Sequence, residues 1–127
     1  MSCSSKTLNL GPQVVWSSGA TALGHPMSAP LEAAEIGGVR VMLELRQRTA
    51  NTKIRFAFRY SNDGISWDAW VGIGDEQDED GILPTGWLDI VSGQTPKIFV
   101  QFGVLCDAIT GEANEMGVAA LRIDTKS

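Results

Sequence analysis

Residues 54–70, IRFAFRYSNDGISWDAW, constrain the fold of this chain more than any other stretch. Ile54, Phe56, Phe58 and Tyr60 alternate with Arg55, Ala57 and Arg59. A period of two is that of a β-strand, so the apolar set belongs to a buried sheet face and the arginines to the opposite face. Asn62, Asp63 and Gly64 follow at once, and such residues tolerate the positive φ of a tight turn. A second strand over Ser66–Ile73, carrying Trp67 and Trp70, is expected to complete a hairpin.

The same signals recur along the chain. Val39–Arg48 sets Val41, Leu43 and Leu45 on one face and Arg40, Met42, Glu44 and Arg46 on the other, and Thr49–Thr52 then supplies a turn. Asp75–Asp80 holds five carboxylates that repel one another and stay hydrated, so it is expected as a surface loop. Trp87–Val91 reads as a short strand between Gly-containing turns. Lys97–Cys106 alternates through Ile98, Val100, Phe102 and Val104, and Met116–Asp124 closes the series. Residues 1–38, rich in Ala, Gly, Ser and Pro, predict an extended N-terminal arm with an early strand at 13–17; Leu31–Ile36 is expected as a strand opening the roll rather than a helical turn. The expected fold is all-β: an antiparallel two-sheet β-sandwich, a jelly roll of about eight strands, over 39–127.

Two stretches resemble a known family. Tyr60-Ser61-Asn62-Asp63-Gly64-Ile65-Ser66-Trp67 is similar to the strand end Tyr-Ser-x-Asp-Gly-x-x-Trp common in galactose-binding-like jelly rolls, the family of discoidin and coagulation-factor C-type domains. Phe99-Val100-Gln101-Phe102-Gly103-Val104 looks like a later core strand of the same family. The resemblance covers 39–124 and implies a jelly roll; its motifs mark turns and core strands rather than a ligand site. Ser61-x-Asp63-Gly64-x-x-Trp67 also looks like the Asp-box of sialidase-type propellers, one residue short, but a propeller needs several copies.

At 127 residues the chain is expected to form one domain that buries roughly two-thirds of its unfolded surface, without metal or disulfide staples. Ten basic against fifteen acidic residues, a net charge of −5, argue against general nucleic-acid binding. No apolar run approaches the roughly 18 residues of a membrane span, and the N-terminus lacks the pattern of a secretory signal. Cys3 and Cys106 are expected as thiols in a reducing compartment, with a 3–106 disulfide as the alternative.

Catalytic constellations are missing from the pattern. The one histidine, His25, stands in Gly24-His25-Pro26 and is expected as a loop residue; Cys106 ends an apolar strand and is expected in the core. No cofactor is expected. Asp75, Asp78 and Asp80 offer hard oxygen ligands for calcium, without the spacing of a known calcium loop. Trp67, Trp70 and Trp87 are candidate glycan-stacking platforms, against the alternative that the tryptophans fill the core. Trp67 and Trp70, three apart, point to opposite faces if the strand is regular.

Arg40 and Arg46 share a face of one strand, and Arg55 and Arg59 share a face of the next. If these strands pair, the four arginines form one basic patch, which together with Trp70 is the expected partner interface. The acidic loop of a neighbouring copy is its natural counterpart. The expected function is that of a non-catalytic structural protein in a large symmetric assembly, a homo-oligomer among other structural proteins. Small β-sandwiches of this size and layout decorate capsids or build tails in phages, and on that likeness the expected location is a virion, made in a host cytoplasm. The alternative is a carbohydrate-binding module.

Overall fold

The computed structural model describes residues 5–17, 23–48, 53–77, 79–89, 98–107 and 116–126. Nine strands follow in order: β1 (Ser5–Ser17), β2 (Leu23–Pro26), β3 (Leu31–Glu32), β4 (Gly38–Arg48), β5 (Lys53–Ser61), β6 (Val71–Gly72), β7 (Gly81–Asp89), β8 (Phe99–Asp107) and β9 (Met116–Lys126). The only helical element among the described residues is one 3-10 turn, Ala33–Glu35.

The strands form two antiparallel sheets. The four-stranded sheet has the order β1-β9-β4-β7, and the five-stranded sheet has the order β2-β8-β5-β6, with β3 also on β8. Apart from the two-residue β3, four antiparallel pairs fold the chain back on itself, β1 with β9, β2 with β8, β4 with β7 and β5 with β6, and β9 pairs also with β4 and β8 with β5. The chain is therefore one long hairpin, folded back between β5 and β6, whose two legs wrap together from sheet to sheet. That is the jelly roll, with eight main strands.

Alternation in the sequence decides what lies between the sheets. Val39, Val41, Leu43 and Leu45 with Ala119, Leu121 and Ile123 face Ile54, Phe56, Phe58 and Tyr60 with Val100, Phe102, Val104 and Cys106. Each large side chain so buried stabilises the fold by about 1.5–3 kcal/mol. Phe58 and Tyr60 meet edge to face with centroids 5.4 Å apart, and Phe56 lies 5.6 Å from Phe102.

Four expectations are corrected. The 1–38 segment is not an arm beside a 39–127 sandwich: β1 pairs with β9 from Ser5↔Lys126 to Ser17↔Met116, and β2 and β3 pair with β8. The strand of Ser66–Ile73 shrinks to β6, paired at Ala57↔Gly72 and Phe58↔Val71, so 62–70 is a long connection rather than a two-residue hairpin turn. Further, β4 and β5 lie in different sheets. The strand expected at Trp87–Val91 starts earlier, at Gly81, and its end beyond Asp89 falls outside the described residues.

The exposed edges are guarded. Pro12 sits at a register shift in edge strand β1, Pro84 at one in edge strand β7, and Pro26 ends β2, while β6 is only two residues long. Proline has no N–H to offer a further strand, and bulges and short edges also resist strand addition. Strand addition at these edges is therefore disfavoured.

Candidate interaction surfaces

Strand register sets the outer face of the four-stranded sheet as rows of cross-strand neighbours. One row runs Thr7, Asp124, Arg40, Trp87; the next runs Asn9, Arg122, Met42, Pro84. In the first row Asp124 is the hub. Thr7 Oγ1 donates to its Oδ1 at 2.8 Å, and Arg40 Nε and Nη2 donate to its Oδ2 at 3.1 and 2.9 Å. Arg122 Nε lies 3.8 Å from Oδ1. The Thr7 hydroxyl, then Arg40 and Arg122, hold the Asp124 carboxyl below its ordinary range.

Arg40 in turn places its guanidinium 4.9 Å from the centre of the Trp87 ring, and Lys126 Nζ lies 4.5 Å from the same ring. Trp87 is nevertheless 42% exposed, with Met42 at 38% and Ile82 at 53% on the same sheet. Met42 and Ile82 line a shallow depression with Asn9, Glu44, Arg46 and Arg122. Glu44 is paired by Arg46.

The outer face of the five-stranded sheet is organised around Arg59. Its Nε and Nη2 donate to Gln101 Oε1 at 2.9 and 2.7 Å, and Gln101 Nε2 donates to the Ser28 carbonyl at 2.9 Å. The Arg59 guanidinium lies 4.9 Å from the Trp67 ring centre and 4.5 Å from that of Trp70. Trp70 rests on a glycine platform: a Cβ at Gly24 would collide with its ring, and one at Gly103 would come within 2.9 Å of it. Arg55 folds over Gly72 and donates from Nη2 to the Gly74 carbonyl at 3.0 Å.

The Ser61–Trp67 motif explains how these tryptophans are presented. Asp63 Oδ1 accepts the N–H groups of Ile65 and Ser66, both at 2.8 Å, and Ser61 Oγ accepts that of Gly64 at 2.9 Å. Gly64 adopts φ +75°, which a side chain would disfavour. The bonds from Ile65, Ser66 and Ser61 hold the Asp63 carboxyl below its ordinary range. The Asp68 N–H then donates to the Tyr60 carbonyl at 2.9 Å, returning the chain to the sheet.

The expected basic patch does not form. Arg40 and Arg46 lie on β4 and Arg55 and Arg59 on β5, in opposite sheets, so the two pairs look out from opposite sides of the sandwich. Trp67 and Trp70 do not point to opposite faces either: no regular strand spans them, and both flank Arg59 on one outer face. Neither they nor Trp87 belongs to the core, and the Trp16 side chain is outside the described residues.

The remaining candidates are placed as follows. Asp75, Glu76, Glu79 and Asp80 are exposed, and Asp78 falls outside the described residues. Gln77 anchors their segment to β5, exchanging backbone hydrogen bonds with Ile54 at 2.6 and 3.0 Å. Among the described residues no group of three or more His, Cys, Asp or Glu is arranged to hold a metal. His25 is in strand β2 rather than a loop, bridging the sheets with Nε2 3.3 Å from Gln13 Oε1, and burial lowers its pKa. Cys106 is a core thiol whose burial pushes its pKa up to about 12; Cys3 lies outside the described residues.

Thr7, Asp124, Lys126 and Ile82 were missed as surface groups, and Gln101 as the buried partner of Arg59, whereas Met42 lies on the outer face as expected. The alternation of Arg122, Asp124 and Lys126 marks them as one face of a strand, but only the register shows that this face adjoins Arg40 and Trp87. No helix among the described residues is long and apolar enough to cross a membrane. Comparison of the chain with protein-family models and with curated proteins finds no match.

Proposed function

We propose that this chain is a non-catalytic structural protein of a large symmetric assembly, a phage virion above all, and that it acts through protein–protein contacts. The observation that carries this reading is the outer face of the four-stranded sheet. It joins exposed Trp87, Met42 and Ile82 to Arg40, Arg122 and Lys126, and Trp, Met and Arg are the residue types enriched in protein interfaces. Proline-guarded edges favour docking by that face over strand addition. The virion is named by analogy of fold and size, since jelly rolls are shared by viral capsids and lectins.

The size of the face bears on the kind of assembly. Four strands at ~4.8 Å spacing, with about nine residues each at ~3.3 Å, offer roughly 600 Å² in projection. A standard stable interface takes about 800 Å² per partner. The face is thus of the order that a standard interface needs, and repetition over many copies would add avidity to each contact.

The test is fractionation of particles from the cells that make this protein, with detection by antibody. The chain should co-sediment with the particles in a fixed ratio to their other subunits. Recovery solely as a soluble monomer that binds sugars would overturn the reading. That second outcome belongs to the alternative, a carbohydrate-binding module of the discoidin type, which the exposed indole of Trp87 favours because a sugar ring can stack on it.

A further inference from the structure

We propose that copies of this chain associate head to tail, the acidic segment 75–80 of one copy seating on the Trp87–Arg40–Lys126 end of the four-stranded sheet of the next. The proposal rests on the assembly reading above and names the partner: a second copy of the chain.

The two surfaces are complementary in charge. The outer face of the four-stranded sheet carries Arg40, Arg46, Arg122 and Lys126. Among the described side chains, Glu44 and Asp124 stand against them, each already engaged by an arginine. Counted over those described side chains the face is net positive by two, on a chain whose net charge is −5. Lys126 has no carboxylate partner among the described residues; its ammonium lies over Trp87, beside a small depression floored by Gly37, Gly38 and Leu88. The segment 75–80 has the opposite character, five carboxylates in six residues.

Within one copy the acidic segment and the Trp87 end lie apart. Strand β7 begins at Gly81, opposite Leu45, directly after the acidic segment, and carries Trp87 opposite Arg40 near its other end. Six residues of strand separate the two by roughly 20 Å, about twice the Debye length at 0.1 M salt. The carboxylates and the cationic end therefore barely sense each other within a copy, whereas a neighbour displaced along the strand axis brings them into contact. The Gln77–Ile54 pairing anchors the acidic segment, so little ordering is needed on docking. Two different, complementary surfaces at opposite ends make a heterologous contact, which propagates into a ring or a filament.

Sedimentation velocity on the full chain tests this. The wild type should self-associate with rising concentration, and the dissociation constant should rise at least about tenfold between roughly 0.05 and 0.5 M salt. Two variants each remove one surface at exposed positions: Lys126→Glu, and the quadruple D75N/E76Q/E79Q/D80N. Each alone should be monomeric, with unchanged thermal unfolding as the control for folding. Mixed, they should form a one-to-one dimer that grows no further, because each keeps one competent surface. A monomeric wild type, association by either variant alone, or a mixture that stays monomeric would overturn the proposal. The particle fractionation separates the two readings. Variants that enter particles as the wild type does would sink head-to-tail docking and leave the assembly reading standing. Head-to-tail dimers from a chain absent from every particle would do the reverse.

Discussion

The glycine platform beneath Trp70 gives a sharp test of how the five-stranded sheet's outer face is built. Gly24 lies outside the left-handed region of φ, so alanine meets no backbone penalty there; the three atoms nearest its Cβ all belong to the Trp70 ring. Gly24→Ala therefore costs whatever Trp70 loses by moving. The half-buried indole covers ~100 Å² of apolar surface, worth about 2.5 kcal/mol at ~25 cal/mol per Å². Its contact with Arg59 adds about 0.5–1 kcal/mol. Full displacement thus costs about 3 kcal/mol, and a partial shift at least the ~1 kcal/mol usual for overpacking. At ~2.1 cal/mol/K of unfolding entropy per residue, a 127-residue chain loses about 4 °C of Tm per kcal/mol. The expected drop is therefore roughly 4–12 °C, read by circular dichroism during thermal unfolding. In a Trp70→Ala background the same substitution should cost nothing, and it should return about 0.5 kcal/mol through the less flexible unfolded chain. Gly103→Ala is the control, because its Cβ collides with the His25 carbonyl oxygen whether or not the ring is present. Additive effects of Gly24→Ala and Trp70→Ala would refute the platform.

Two further outcomes follow from the fold. Deleting residues 1–30 removes an edge strand from each sheet, together with Leu8 and Leu10 that pack on the core, so the remainder should lose cooperative unfolding by circular dichroism; a truncated chain that melts like the full one would contradict the pairing of β1 with β9. Burial lowers the folded-state pKa of His25, so the unfolded chain takes up the proton first and stability should fall as pH drops through the ordinary histidine value near 6.5. Urea unfolding between about pH 7.5 and 5 should show this slope, and His25→Gln should flatten it; an unchanged slope in the variant would assign it to other groups.

The strands were legible because the period of two survives wherever one sheet face is buried, as in β4, β5, β8 and β9. The pairing was not. Four residues between β4 and β5 look like a hairpin turn, but in a rolled hairpin successive strands cross between sheets, and alternation tells inner from outer without naming the sheet. That single ambiguity is why Arg40 and Arg46 were joined to Arg55 and Arg59. Edge strand β1 was legible only at 13–17, for a different reason: the glycine, proline and polar residues before it mark a guarded edge, and a guarded edge lacks the hydrophobic pattern of a central strand. The tryptophan geometry depended on the Ser61–Ser66 turn, whose bonding is local, and on an irregular 67–70 segment, whose placement is not.

The position of β9 has a consequence for how the protein comes into being. β9 lies between β1 and β4, joining Ser5 to Lys126 and Val41 to Ile123. It is also the last of the nine strands to be synthesised. Until it leaves the ribosome, β1 has no strand partner and β4 lacks one of its two. Pairings this distant in sequence form slowly, on millisecond-to-second scales. The four-stranded sheet is thus closed only by the last of its strands to be made.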